Sequence, residues 1–458
     1  MALPKMMATI ILTLWMMNGM ASEIPTLSND AYVARMAAAT RVAWPALATS
    51  QNMENETGFY ADAQILVSDG SHAWLIDAAG YRKVDPGPVQ ALGLPHTYYH
   101  FGKIEWQHRP TVYIGLGEEL PADEAKRVAT RPPALFLLAT HEAFHFYGQK
   151  KWPVTGSDET DDSRATAYPS QIPPRQYRNQ LIRNLIAAVQ GQAGALGKAR
   201  YWHQRWQTEF PAEARNIRYT DISEGTAMYV EVLAELLAAG DVPDARTWSA
   251  AIMEELSKTT DKFQADYESY PLGALAGYLL DRQGVKWWQR AVNGETPVQI
   301  LLDPVAAIAE LPDAELDQRI EKILNALNQS LAPVMDAFVQ NMQAADAIRL
   351  LVPMTSGTGS VRMSGQYRVA NLSEEVFTDY FGEFAPAGGS VKINKEMAAM
   401  AVSNACGDTS GFLILPFPAG TFPLAVDGRL QLQRKGIEID VPYPVKSADD
   451  EKIWCVQA

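Results

Sequence analysis

The sequence predicts an α+β protein, a mainly helical domain carrying a small β-sheet followed by a β-rich C-terminal domain. Three observations predict it. Segments with apolar residues at three- and four-residue spacing, the period of a helix face, dominate from residue 122 to 346. Short apolar runs bounded by Asp, Gly and Pro precede them. After residue 347 the helical period gives way to short runs separated by Gly-rich turns.

Taken in order, residues 30–47 predict a helix ending near Pro45. Residues 64–68 and 73–76 predict strands on either side of an Asp69-Gly70 turn. Residues 104–106 and 111–115 predict two more, separated by a break at Pro110. Residues 122–128 begin a helix, and Pro132-Pro133 opens another, as Pro suits a first helical turn. Helices follow at 176–192, 222–239, 247–258, 272–283 and 316–342. Strands are expected at 349–353, 360–363, 390–393, 411–415 and 430–433. The organisation is therefore 1–21 targeting segment, 22–346 helical domain and 347–458 β-rich domain, each globular part of ordinary domain size.

Charge and targeting features narrow the function classes. The net charge of −14 disfavours nucleic acid or an anionic membrane as the main partner, since both need clustered Lys and Arg. Lys5, the apolar run 6–17 and Gly19-Met20-Ala21 read as an export signal cleaved after Ala21, too short for a membrane anchor. The expected location is periplasmic or extracellular. Cys406 and Cys455 are the two cysteines. In an exported chain they could close one disulfide on the last strand, or stay two buried thiols; they cannot form a zinc ribbon.

Chemistry concentrates in His141-Glu142-Ala143-Phe144-His145, inside an apolar stretch that predicts a buried helix. Histidines four apart project from one helix face and can grip one ion. Zn2+ prefers such nitrogen donors, and a catalytic site keeps a water as a further ligand. Glu142 is placed to take that water's proton as general base. Two His and a Glu inside an apolar helix need a reason to be there.

On this motif the chain resembles the zincin metallopeptidases. Gly148 fits one branch, but Lys151 stands where that branch places a third His and another places an Asp. The resemblance then implies a gluzincin arrangement, with a Glu from a later helix as third ligand. Glu209, Glu213, Glu224 and Glu231 are the candidates. Glu224 is favoured, because Glu224-Gly225 with Ala227 at a helix start resembles the third-ligand segment of several gluzincins. Gly225 and Ala227 would let that helix approach the motif helix, and Asp221 or Ser223 would cap it. Met228 departs from the pattern, standing where many members place a carboxylate that supports the first His. The resemblance further implies an edge strand for an extended peptide substrate, for which residues 111–115 are placed, a plain core strand being the equal alternative, and an oxyanion donor. Tyr270 ranks first for that donor, ahead of Tyr229 and His203.

The remaining features read as bland. Residues 158–162 form an acidic loop without calcium-loop spacing, His96 and His100 read as structural, and Asn55 opens a glycosylation sequon. The sequence thus points to a secreted zinc peptidase acting on peptides or proteins through Glu142. A non-catalytic zincin-like binding protein and a zinc hydrolase of another bond are the alternatives.

Overall fold

The computed structural model describes residues 27–50, 53–152, 164–258, 262–357, 361–407, 410–418, 420–423, 425–448 and 450–457. The expected signal and the acidic loop 158–162 lie outside them. The chain is 47% helix and 23% strand, in an α+β arrangement.

The first helix, Asn29–Ala48, starts on Ser28, whose hydroxyl accepts from the Ala31 N–H. It continues through Pro45 for a further turn, with Trp44 and Leu47 fully buried around the proline. Five strands then form a mixed sheet: β1 (Gln64–Ser68), β2 (Ala73–Asp77), β3 (Gly80–Val84), β4 (Phe101–Trp106) and β5 (Arg109–Gly115). Their order is β3-β2-β1-β5-β4, parallel between β1 and β5 and antiparallel elsewhere.

This order decides between the two readings of residues 111–115 in favour of the core strand. Residues 111–115 lie in β5, hydrogen-bonded to β1 on one side and to β4 on the other. The chain does not break at Pro110. It turns at Gln107 and His108, both in the left-handed region (φ 53° and 60°), so β4 and β5 form a tight hairpin with Pro110 inside β5. The edge on that side is β4, with β3 at the other end of the sheet.

The motif helix, Ala134–Ala143, begins after Pro133, and the Ala134 N–H is taken by the Glu124 carboxylate at 2.8 Å. The expected continuous helix stops at Ala143. A π-helical turn, Phe144–Gly148, and a 3-10 turn, Gln149–Lys151, follow. Gly148 is needed there, because a Cβ would come within 2.7 Å of the Glu56 carbonyl oxygen.

Helices Ile172–Val189, Ala195–Glu209, Arg218–Ala239, Ala245–Lys258, Ala265–Arg282 and Ala314–Gln343 make up most of the helical region. Arg218–Ala239 starts a turn earlier than expected, so Asp221 and Ser223 are interior residues rather than caps. Asp221 instead receives both terminal nitrogens of the fully buried Arg178, at 2.7 and 3.0 Å. Gly225 does not face the motif helix. A Cβ there would come within 2.8 Å of Gly273 Cα, so this helix crosses Ala265–Arg282 backbone to backbone.

A ten-stranded sheet follows. Its main path is β14 (Val445–Lys446), β15 (Ile453–Cys455), β7 (Ile348–Pro353), β11 (Ser410–Phe417), β10 (Ser390–Ser403), β9 (Glu375–Phe384), β8 (Gly365–Val369) and β6 (Thr166–Tyr168), with β12 (Arg429–Arg434) and β13 (Ile437–Pro442) attached at β10. Residues 361–363 form no strand; Arg362 makes a single bridge to Phe381. β6 comes from the helical region and pairs in parallel with β8, so the two parts share a sheet across the expected boundary at 346. Met335, Phe338 and Met342 of Ala314–Gln343 pack into the hydrophobic cluster on that sheet. Cys406 and Cys455 form a disulfide with Cα atoms 5.7 Å apart.

The crossing at Gly225 and Gly273 yields a prediction. Gly273→Ala should force the two helices apart and lower stability by roughly 1–3 kcal/mol or more, read as a lower apparent melting temperature. A variant melting with the wild type would refute so close a crossing.

Candidate metal centre

His141 and His145 leave the motif segment on the face turned to the helix Arg218–Ala239, which carries Glu224. One donor atom from each of the three side chains lies within 4.8 Å of the other two. Among the described residues this is the one group of three or more His, Cys, Asp or Glu side chains so gathered. His141 Nε2 is 3.2 Å and His145 Nε2 3.3 Å from Glu224 Oε2, and the two Nε2 atoms are 3.0 Å apart.

The ring orientations follow from their outer partners. His141 Nδ1 lies 2.8 Å from Glu231 Oε2. A carboxylate only accepts, so Nδ1 donates its proton to Glu231, and Nε2, which shares a proton with Glu224 here, is the nitrogen that a metal would take in place of that proton. His145 Nδ1 lies 2.7 Å from Gln149 Oε1. The Gln149 amide nitrogen donates to the Ser223 carbonyl at 2.7 Å and to Thr226 Oγ at 2.9 Å, which fixes its oxygen toward His145. Both imidazoles therefore present Nε2 to the same point.

These donors fit a tetrahedral zinc. Ligands at 2.0–2.1 Å on a tetrahedron are roughly 3.3 Å apart, close to the separations found here. The electrostatics agree. Burial opposes a charge on His141, but hydrogen bonds to Glu224 and Glu231 outweigh it and push its pKa up to about 10. Burial also opposes ionisation of Glu224, yet His145, His141 and Arg164 hold its carboxyl well below the usual range. Two carboxylates thus converge on one buried imidazole, and the cluster demands positive charge.

His141, Glu142, Glu231 and Tyr270 line one cleft of about 560 Å³, with Tyr98 and Tyr99 from the loop before β4. Burial raises the Glu142 carboxyl, with His141 and His145 opposing, which moves it toward the range of a general base near neutrality. The Tyr270 ring stacks on His141 with centroids 6.0 Å apart, and its hydroxyl accepts from Arg164 at 3.0 Å. Burial raises the Tyr270 phenol, so it remains a proton donor.

The other candidates lie elsewhere. Glu209 pairs with Arg205 and Tyr177, and Glu213 with Arg175 and Trp206. The Tyr229 hydroxyl donates to Asp281, with its ring among Trp248, Trp287 and Trp288. His203 is buried against Trp206, and burial pushes its pKa down to about 4. His96 and Asn55 are exposed on a loop and a short helix.

Sequence reasoning missed three groups. Gln149 continues the spacing His141, His145, Gln149, four residues apart each time, and that period was a usable signal. Glu231 was weighed as a ligand, whereas it supports His141 from outside. Its place two turns beyond Glu224 on the same helix face could have shown this. Arg164 gives no local signal. No known protein family, curated protein or solved structure matches the chain.

If Glu231 orients His141 and Glu224 is the ligand, Glu231→Gln should weaken zinc binding about 10–100-fold in a chelator competition, and Glu224→Ala should weaken it further. The reverse ranking would exchange the two roles.

Proposed function

We propose that this chain is an exported zinc hydrolase, a peptidase of gluzincin type, in which His141, His145 and Glu224 hold Zn2+ and Glu142 is the general base. The observation that carries this reading is the convergence of two imidazole nitrogens and one carboxylate oxygen on one point, with His141 and Glu142 lining a common cleft. When bound, Zn2+ would supply a Lewis acid for the scissile carbonyl and lower the pKa of water to roughly 7.

The remaining work belongs to the chain's own residues. Glu142 removes a proton from water as the oxygen attacks the carbonyl carbon, then returns it to the amide nitrogen as the C–N bond breaks. The Tyr270 oxygen accepts from Arg164 and its hydroxyl is hydrogen-bonded to Glu224, which holds a phenol proton beside the ligand oxygen, from where it would donate to the carbonyl oxygen as negative charge develops. Edge strand β4 offers main-chain groups to an extended polypeptide. A peptide or protein substrate suits this edge, and the net charge of −14 speaks against nucleic acid. No helix among the described residues is long and apolar enough to cross a membrane.

Glu142→Gln keeps the shape of the site and removes the base. On a broad peptide library it should retain zinc and lose cleavage by about 10²–10⁴-fold. Cleavage at the wild-type rate in this variant would rule out the mechanism.

A further inference from the structure

We propose that Arg164 is a positioning residue of the metal centre, holding Glu224 to a single inward oxygen and aiming the Tyr270 hydroxyl; this rests on the reading above. Its guanidinium is half-exposed and stands against three acceptors on two helices. Nη1 donates to Glu224 Oε1 at 2.8 Å. Nη2 donates to the Tyr270 hydroxyl at 3.0 Å and to Asp266 Oδ2 at 3.2 Å. Nε donates to Asp266 Oδ1 at 2.8 Å.

A guanidinium has five N–H donors in a rigid plane. Four of them are committed here, so the group is locked rather than free to reach substrate. The bidentate bond to Asp266 fixes the plane, and the outer edge of that plane meets Glu224 and Tyr270. Oε1 of Glu224 is thereby engaged, and Oε2 is the oxygen left facing His141 and His145. The Tyr270 oxygen is filled from the Arg164 side, which turns its proton away from the guanidinium. A lysine could not replace this arrangement, since one ammonium cannot span the three acceptors in a fixed plane.

The backbone that carries Arg164 is itself anchored. Two residues later the chain enters β6, which pairs with β8 through Thr166 opposite Tyr367 and Tyr168 opposite Val369. Arg368 also donates to the Ala165 carbonyl at 3.5 Å. The C-terminal sheet therefore sets where Arg164 stands.

The test uses the full chain as wild type, Arg164→Gln, Arg164→Lys, Tyr270→Phe and the Arg164→Gln/Tyr270→Phe double variant. Zinc affinity is measured by chelator competition, and kcat and KM on a peptide from the library at saturating zinc. Both Arg164 variants should lose zinc affinity about 10–100-fold. They should lower kcat with KM essentially unchanged, and Arg164→Gln should add little further loss of kcat to Tyr270→Phe. Wild-type zinc affinity and kcat in Arg164→Gln, with only a lower melting temperature, would reduce Arg164 to a structural ion pair and overturn the proposal. Full rescue by Arg164→Lys would overturn the planar geometry. A wild type that binds no zinc defeats both readings, whereas one that binds zinc and cleaves nothing defeats only the peptidase, because zinc affinity still decides the role of Arg164.

Discussion

The helices Arg218–Ala239 and Ala265–Arg282 cross at Gly225 and Gly273 with no space for a methyl group, and the geometry of the His141, His145 and Glu224 cluster hangs on that contact. Glu224 immediately precedes Gly225, and Tyr270 lies three residues before Gly273. Closing the crossing thus brings the Tyr270 ring over His141 and its hydroxyl to the guanidinium that also holds Glu224. A turn away, the same two helices are locked by buried charge. Arg178 binds Asp221 on one and Glu268 on the other, and Ser269 donates to Asp221 at 2.6 Å. Buried ion pairs add little net stability, because desolvation consumes most of the Coulomb gain. Breaking one is costly, since it strands a buried charge. Burial still pushes the Glu268 carboxyl up to about 7, even with Arg175 and Arg178 beside it.

Within that frame, the outer partners of the histidines do as much as the histidines. An imidazole ligates with the nitrogen that carries no proton, and Glu231 and Gln149 decide which nitrogen that is. Gln149 also bonds to Ser223 and Thr226 on either side of Glu224, so the motif segment and the ligand helix are stitched together at the centre itself. The absence of a carboxylate at Met228 leaves no gap. Glu231, nearly one turn further along the helix, reaches His141 Nδ1, while Met228 is buried against the cleft.

What the sequence made legible follows from the range of each interaction. The two histidines and Glu142 were readable because a helix fixes four-residue spacing whatever surrounds it; the histidines do converge, and Glu142 shares a cleft with His141. The α+β division was readable because hydrophobic period is local. Residues 111–115 were readable as a strand, but the sequence did not decide between an edge and an interior place. Their place depends on the Gln107-His108 turn, whose left-handed residues are not glycines and so carry no strong signal. Gly225 was readable as a site of close approach, but its partner, Gly273, depends on tertiary packing. The start of the ligand helix was misplaced because Asp221 has the chemistry of a cap, and only the distant Arg178 shows that it serves a buried ion pair.

Pairing between β6 and β8 gives the C-terminal sheet a role beyond that of an appended module. A three-residue strand has little stability of its own. β6 persists because β8 supplies its hydrogen bonds and because Tyr168 packs edge-on to Tyr367 at 6.0 Å. Arg164 lies two residues upstream, so the freedom of its backbone is set by a sheet built almost wholly from residues beyond 347. Side-chain bonds to Asp266, Glu224 and Tyr270 then complete a path from that sheet to the ligand oxygen. The candidate metal centre is therefore held at the helix crossing and, through Arg164, tied to the ten-stranded sheet.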